Sequence, residues 1–126
     1  MDKLSSGYDD IPYPGHAYPQ THPDRLATLA TLFGMNPAPA HRCRVLELGC
    51  GNGSNLIPMA LTSSNSRFLG IDLASKPIAS GNELIAELAL QNVEIRQQDL
   101  TEFDSVEQYD YIIAHGLYSW VPPALQ

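Results

Sequence analysis

The chain has 126 residues, 44% of them hydrophobic, and a formal net charge of -7 at pH 7. This length fits one domain, and that apolar content is enough for a buried core. The negative charge provides no basic field for phosphate backbones, so nucleic acid is a disfavoured partner. No apolar run reaches the ~20 residues of a membrane span and no signal-peptide pattern is present, which predicts a cytoplasmic protein that does not enter a membrane.

Residues 1–20 are predicted to form an extended arm. Three prolines and three tyrosines lie in this stretch, and proline favours extended or polyproline backbone over helix. One interpretation is a lid over a site and the other is a disordered tail. Three tyrosines are more aromatic surface than a purely solvated tail usually holds.

An amphipathic helix is predicted after this arm. Thr21 and Asp24 have the spacing of a capping box, and apolar residues recur at helical spacing up to Gly34. These apolar residues are Leu26, Leu29, Ala30 and Phe33. Two prolines in residues 36–41 then indicate a connector, so we assign residues 1–41 to an arm and helix and residues 42–126 to a core domain.

A strand, a glycine turn and a helix follow in order. The apolar run 43–48 predicts the strand, the glycines of residues 49–53 the turn, and residues 55–61 a helix with Pro58 near its first turn. Cys43 and Cys50 have the spacing of neither a metal site nor a disulfide framework. Both are predicted to be reduced, structural cysteines.

The rest of the chain continues this alternation. Strands are predicted at residues 68–73, 93–98 and 109–114, with an acidic loop at 99–107. A helix capped by Ser75 is predicted after the second strand. Its expected buried face consists of Ile78, Ile85, Leu88 and Ala89.

The alternation of strands and helices predicts the fold class. Parallel strands joined by right-handed crossovers form an open sheet with helices on its faces, so we expect an α/β, Rossmann-like open parallel sheet. Only four strands are predicted, and a sheet that ended there would leave a long edge uncovered. We therefore expect a fold that is truncated after its fourth strand.

The segment Glu47–Gly53 is the most informative motif. Its glycines permit positive φ angles and a close approach of a ligand to the backbone, and the amides at the start of the helix are expected to be free to face that ligand. The spacing is Gly-x-Gly-x-Gly, whereas the dinucleotide fingerprint would need a small residue at Ser54 as its third member. Glu47 would repel a pyrophosphate and attract an ammonium, which favours a cofactor that carries an amino acid.

Two more acidic residues end predicted strands. Asp72 lies 19 residues beyond Gly53, where a carboxylate can accept hydrogen bonds from the two hydroxyls of a ribose. Nicotinamide and adenosyl ligands both need that contact, so Asp72 does not discriminate between them. Asp99 is a candidate acceptor for an adenine amine, or it merely caps a turn. The absence of Gly-Lys-Ser/Thr after the glycines excludes a P-loop.

These motifs resemble those of class I S-adenosylmethionine-dependent methyltransferases. Residues 45–53 are similar to motif I of that family, Asp72 to its ribose-binding acid and residues 98–100 to its adenine-contacting segment. The resemblance implies S-adenosyl-L-methionine as the cofactor. The predicted cofactor site consists of Glu47, Gly49, Cys50, Gly51, Gly53, Asn55, Asp72, Leu73, Asp99, Leu100 and His115.

A narrower resemblance concerns residues 21–28, 55–60 and 115–122. These segments are similar to bacterial methyltransferases that carry a downstream regulatory domain, a group that includes rickettsial protein-lysine methyltransferases. The chain is identified on this basis as the N-terminal portion of such an enzyme. The implied methyl acceptor is unidentified, with protein lysine as one candidate.

Methyl transfer is an in-line displacement, so positioning and exclusion of water are the main tasks expected of the protein. His115, Tyr118 and Tyr13 are the candidate catalytic residues that would orient or deprotonate an acceptor amine, with packing of the pocket wall as the alternative role. Residues 115–118 lack the Asp/Asn-Pro-Pro-Tyr/Phe pattern of nucleic-acid amino methylation. A protein or small-molecule acceptor is therefore favoured.

Two other functions stay open at this point. A nucleotide-dependent oxidoreductase is disfavoured by the glycine spacing and by Glu47, whereas an incomplete acceptor side would favour a non-catalytic cofactor-binding or regulatory module. The four histidines show no metal-ligand spacing, so no metal is predicted. A homo-oligomer is compatible with the sequence.

Overall fold

A computed structural model describes Ala17, residues 21–104 and residues 107–114. The elements within these residues are α1 (Pro23–Leu32), β1 (Arg44–Leu48), α2 (Leu56–Thr62), β2 (Arg67–Asp72), α3 (Ser75–Glu87), β3 (Val93–Gln97), a short 3-10 helix (Leu100–Glu102) and β4 (Tyr111–Ile113). Their order is the predicted one, and the strand bounds differ from the predicted bounds by one or two residues. Apart from Ala17, the predicted arm lies outside the described residues.

The four strands form one parallel sheet in the order β3-β2-β1-β4. The chain moves outward from β1 to β2 and β3, and then crosses back to pair β4 with the other side of β1. This confirms the predicted open parallel sheet. Open α/β sheets bind ligands at the carboxyl ends of the strands where the direction reverses, which here is the crevice between β1 and β4.

The main core lies between the helices and one face of the sheet. Val45 and Phe68 of the sheet pack there with Leu56 of α2, and all three are buried. Ile85 of α3 packs against the same cluster. Two consecutive right-handed crossovers that move in one direction place α2 and α3 on the same face, which is why a single cluster forms.

The other face of the sheet is covered by the connection between β3 and β4. Leu100 and Phe103 of this connection pack on a buried cluster of Leu46, Leu69 and Ile71. The connection runs in the opposite direction across the sheet, so a right-handed crossover brings it to the opposite face.

The predicted capping box of α1 is wrong. The N-cap residue is His22, whose Nδ1 accepts a hydrogen bond from the backbone N–H of Asp24 at 3.1 Å. Pro23 occupies the first helical position, where its missing N–H and fixed φ suit a helix start. Thr21 therefore lies one residue too early to cap the helix, and its buried hydroxyl contacts Asn55 instead.

The predicted amphipathic helix α1 is confirmed, but its buried face is only partly as expected. Leu26 and Ala27 pack against the main core. Leu29 and Phe33 are 51% and 82% exposed. Because α1 meets the described core near its start, its last turn extends past that core.

Two expectations for α3 are also wrong. Ser75 is the first helical residue, and the N-cap position that was predicted for it is occupied by Ala74. Leu88 is 42% exposed and Ala89 is exposed, at φ 52°. The helix ends at Glu87, so these two residues leave the predicted face and form the turn that closes the helix.

Candidate donor site at the carboxyl edge of the sheet

A glycine turn follows β1 at the point where the sheet order reverses. Gly49, Gly51 and Gly53 have φ angles of 77°, 57° and 79°, as the motif predicts. A Cβ added to Gly51 would meet nothing within 4 Å, so the backbone is open on that side. This is where a ligand can approach the turn most closely.

The turn is held in place by the end of β2. The amides of Gly49 and Cys50 donate to the Ile71 carbonyl at 2.8 and 3.0 Å, and the Gly51 amide donates to Asp72 Oδ2 at 2.8 Å. The Gly53 amide donates to the Cys50 carbonyl at 3.0 Å. These four turn amides are therefore bonded within the protein, because the neighbouring strand ends close enough to accept from most of them.

Asp72 is the last residue of β2, and its carboxylate accepts hydrogen bonds from the glycine turn and from the segment that precedes α3. Its Oδ2 accepts from the Gly51 amide at 2.8 Å and its Oδ1 accepts from the Ala74 amide at 2.9 Å. A carboxylate has about four acceptor positions, so two backbone bonds leave capacity for ligand hydroxyls. Leu73 follows, half-buried, and its carbonyl accepts from Gln97 Nε2 at 3.2 Å.

Glu47 lies near the end of β1 and is only 4% exposed. Its Oε2 accepts a hydrogen bond from Asn55 Nδ2 at 3.0 Å. Its Oε1 is buried without a hydrogen-bond partner among the described residues. An orphaned buried carboxylate oxygen is unfavourable, and a cation placed against it would remove the penalty.

The electrostatic environment of Glu47 makes it a titrating group near neutrality. Burial raises the pKa of its carboxyl to about 7, the hydrogen bond from Asn55 opposes this shift, and the negative charge of Asp72 adds to it. A ligand ammonium would favour the ionised form of this carboxyl.

Asn55, at the start of α2, contacts the Glu47 carboxylate. Its Nδ2 donates both to Glu47 Oε2 at 3.0 Å and to Thr21 Oγ1 at 2.9 Å. The sequence analysis placed Asn55 in the cofactor site but assigned Thr21 to a helix cap. The contact of Thr21 with Asn55 spans 34 residues, so no local pattern could have predicted it.

Cys50 packs against β2 at a point where only glycine fits. A Cβ on Gly70 would lie 2.6 Å from Cys50 Cβ and 2.7 Å from its Sγ. Burial raises the pKa of the Cys50 thiol far above its ordinary value, so it stays protonated and inert. Cys43 and Cys50 are both buried free cysteines, which confirms the structural role predicted for them.

Gly81 of α3 supports the turn from the helix side. A Cβ at this buried position would overlap the backbone carbonyl oxygen of Asn52. Gly81 is not among the site residues predicted from the sequence. A glycine inside a helix lowers helix stability, and that unfavourable choice was the available signal of a close backbone contact.

Asp99 and Leu100 begin the connection after β3. Asp99 Oδ1 accepts from the Thr101 amide at 2.9 Å and from its hydroxyl at 2.8 Å, and these bonds lower the pKa of the carboxyl. The turn-capping interpretation of Asp99 is thus confirmed, while its adenine contact stays a prediction. Leu100 packs on the second face of the sheet.

Three candidate catalytic residues, His115, Tyr118 and Tyr13, lie outside the described residues.

Within the described part of the chain, no group of three or more His, Cys, Asp or Glu side chains is placed to hold a metal ion. In that same part, every helix is too short or too polar to traverse a lipid bilayer.

Residues 40–123 of this chain match a known protein family, and the match covers more than half of the chain. The family is described as Methyltransferase domain. The chain is a member of the S-adenosylmethionine-dependent methyltransferases. The class I, Rossmann-like fold and the methyltransferase family predicted from the motifs are therefore confirmed.

Two rickettsial proteins are similar to this methyltransferase. Uncharacterized protein RP789 of Rickettsia prowazekii (strain Madrid E) is 44% identical over 116 residues, which is 91% of this chain and 21% of that protein. The structure of PKMT2 from Rickettsia typhi in complex with AdoHcy is 39% identical with a TM-score of 0.85, covering 91% of this chain and 23% of that chain. This confirms the predicted rickettsial group, and the chain spans about a fifth of the length of these two relatives.

A shorter similarity connects the methyltransferase to a nucleic-acid enzyme. The tRNA (guanine-N(7)-)-methyltransferase of Chloroflexus aggregans (strain MD-66 / DSM 9485) is 38% identical over 80 residues, or 62% of this chain and 34% of that protein. Enzymes that act on different acceptors can share one fold, so this similarity does not identify the acceptor.

Proposed function

We propose that residues 42–126 hold the methyl donor in an S-adenosylmethionine-dependent methyltransferase whose acceptor is a protein lysine, and that residues 1–41 precede this core as an arm and helix. Donor binding is supported above all by the buried carboxylate of Glu47, which precedes the open glycine turn by two residues and whose Oε1 has no partner among the described residues. Such an oxygen fits the ammonium of a methionine moiety and would repel a pyrophosphate.

The other strand ends supply the remaining contacts in this proposal. Asp72 has acceptor capacity left for ribose hydroxyls after its two backbone bonds. Gly51 gives the nucleoside access to the backbone. Asp99 and Leu100 are the proposed adenine contacts. When bound, the donor supplies a methyl group on a sulfonium, and the residues of this chain orient it for in-line displacement.

The lysine acceptor rests on two supports. The motifs resemble the rickettsial protein-lysine methyltransferases, and the structure with a TM-score of 0.85 is that of PKMT2. An RNA acceptor is the second candidate because of the similarity to a tRNA methyltransferase. The net charge of -7 favours the protein acceptor, since an acidic surface repels RNA.

Calorimetric titration of the intact protein tests donor binding. We expect S-adenosylmethionine to bind and nicotinamide adenine dinucleotide not to bind. Glu47→Gln should weaken binding about 10- to 100-fold, because a hydrogen bond between charged partners is lost. Glu83→Gln, which removes an exposed carboxylate from α3, is the matched control. Binding of the dinucleotide in place of the methyl donor would refute the assignment.

Transfer of a labelled methyl group tests the acceptor. The intact protein is incubated with labelled donor and separate pools of protein, RNA and small molecules. The proposal expects acid-stable label in the protein pool that is recovered as methyl-lysine after hydrolysis. Label found in RNA alone would exclude the lysine acceptor and favour the second candidate.

A further inference from the structure

Three buried side chains form a continuous polar chain from the segment before α1 to the donor site. Thr21, Asn55 and Glu47 are 8%, 4% and 4% exposed. Asn55 Nδ2 is the middle member, at 2.9 Å from Thr21 Oγ1 and 3.0 Å from Glu47 Oε2. We call these three residues the buried polar chain.

The hydrogen bonds of the buried polar chain fix the orientation of the Glu47 side chain. An Asn amide nitrogen has two protons, and here one points to the Thr21 hydroxyl and the other to the Glu47 carboxylate. Two acceptors in fixed positions define the plane of the amide. Because Oε2 of Glu47 is held in this way, Oε1 is the oxygen left for another partner.

Asn55 and Thr21 do not cap the helices that begin next to them. Asn55 is the N-cap of α2, and Asn is among the best capping residues, but its side chain makes no capping bond. Thr21 leaves the capping of α1 to His22. Helix capping therefore does not account for these two side chains, and both belong to the series of contacts that reaches Glu47.

We propose that Asn55 and Thr21 are positioning residues that hold Glu47 through Oε2, so that Oε1 is presented to the cationic group of the donor. The inference rests on the proposed function. It extends the donor site to the segment that precedes α1, because the Thr21 hydroxyl determines how the Asn55 amide is oriented.

The charges around Glu47 make this role measurable. Burial raises the pKa of the Glu47 carboxyl, the hydrogen bond from Asn55 lowers it, and the negative charge of Asp72 raises it. Glu47 in turn contributes to the raised pKa of the neighbouring Cys50 thiol, which stays neutral. Removal of the Asn55 amide should therefore raise the pKa of Glu47 further and weaken donor binding near neutral pH.

The test compares variants of the intact protein by titration with S-adenosylmethionine across pH. Asn55→Leu should weaken binding at least about tenfold near neutral pH and move the pH midpoint of binding upward by about one unit. Thr21→Val should act in the same direction by about threefold, since the amide loses one of its two acceptors. Thr21→Ser keeps the hydroxyl and should restore wild-type binding.

Thr28→Val is the matched control, because this exposed threonine bonds only within α1, to the Asp24 carbonyl. Carbon-13 NMR of the Glu47 carboxyl in the ligand-free protein is the second readout, with Glu47→Gln identifying the signal. Its titration midpoint should rise in Asn55→Leu and Thr21→Val and stay unchanged in Thr21→Ser.

The outcomes separate the two proposals. Wild-type binding and an unchanged Glu47 midpoint in both Asn55→Leu and Thr21→Val would overturn the positioning role and leave the donor site standing. Failure of the wild type to bind the donor would overturn the proposed function, and the NMR midpoints would still decide whether the buried polar chain controls Glu47. If Asn55→Leu does not fold, the Thr21→Val and Thr21→Ser pair decides.

Discussion

At the scale of the residue, the burial of the Glu47 carboxyl is unfavourable for stability but favours the binding of a cation. The carboxyl is 4% exposed, it receives one hydrogen bond, and its other oxygen is unpaired within the described residues. In the ligand-free protein the ionised form is therefore poorly solvated. A cationic ligand would remove this penalty, so the same feature lowers stability and favours binding.

Glu47→Gln should change the pH dependence of stability in a defined direction. The pKa of Glu47 is raised from 4.5 to about 7, so its contribution to stability is fully present below about pH 4.5 and is lost as the pH rises through about 7. We expect the variant to be more stable than the wild type by about 1–3 kcal/mol at about pH 8 and nearly equal to it at about pH 4. Urea unfolding at both pH values measures this.

The control for this prediction is Glu83→Gln, an exposed carboxyl on α3. It should follow the wild type at both pH values. A Glu47→Gln variant whose stability declines with pH as steeply as that of the wild type would show that Glu47 is not the titrating group.

At the scale of the element, the glycine turn is positioned by two neighbours rather than by its own sequence. The end of β2 accepts its amides through Ile71 and Asp72. Helix α3 touches it through Gly81, where the backbone of Asn52 passes directly against the helix. The site is thus held between a strand and a helix, which keeps its geometry fixed before a ligand arrives.

Gly81→Ala should destabilise the protein, although alanine favours a helix by about 1 kcal/mol over glycine. The added methyl group would overlap a backbone oxygen of the turn, so the helix or the turn must shift. We expect a net loss of about 1–3 kcal/mol in the free energy of unfolding and weaker donor binding. Thermal unfolding and calorimetry measure the two effects.

Ser80→Ala gives the comparison, because Ser80 is exposed on the same helix. It should leave both donor binding and stability near the wild-type values. An increase in stability of Gly81→Ala with unchanged binding would indicate that the turn does not depend on the close contact.

At the scale of the whole molecule, the strand order creates the site. The chain visits β1, β2 and β3 and then returns to the other side of β1. Glu47, Asp72 and Asp99 lie at or near the carboxyl ends of β1, β2 and β3, which therefore share one edge of the sheet beside the crevice between β1 and β4. Residues that are far apart in sequence become parts of one surface because parallel strands all end on the same side.

Because the proposed donor contacts come from three strand ends, donor binding should require the assembled sheet and stabilise it. At a free donor concentration of 100 times Kd, we expect the free energy of unfolding to rise by about 2.7 kcal/mol. Urea unfolding of the intact protein with and without S-adenosylmethionine measures this. An equal rise with nicotinamide adenine dinucleotide would mean that the site does not select the methyl donor.

Local sequence patterns were enough to predict the order of the elements, the parallel sheet and the position of the glycine turn. Alternating apolar segments and a Gly-x-Gly-x-Gly spacing are local features, and the positive φ angles at Gly49, Gly51 and Gly53 follow from the one residue type that adopts them readily. The location of Glu47 and Asp72 at the carboxyl edge of the sheet was predictable for the same reason, since each lies at or near the end of an apolar strand.

The contacts of those residues, in contrast, depend on how distant segments pack together. Asp72 reaches the turn over 21 residues and Thr21 reaches Asn55 over 34, and no periodicity encodes such pairs. The partial burial of α1 and the tight fit at Gly81 likewise depend on which neighbour packs against a helix. Local patterns specify backbone conformation, whereas burial and hydrogen-bond partners arise when distant segments meet.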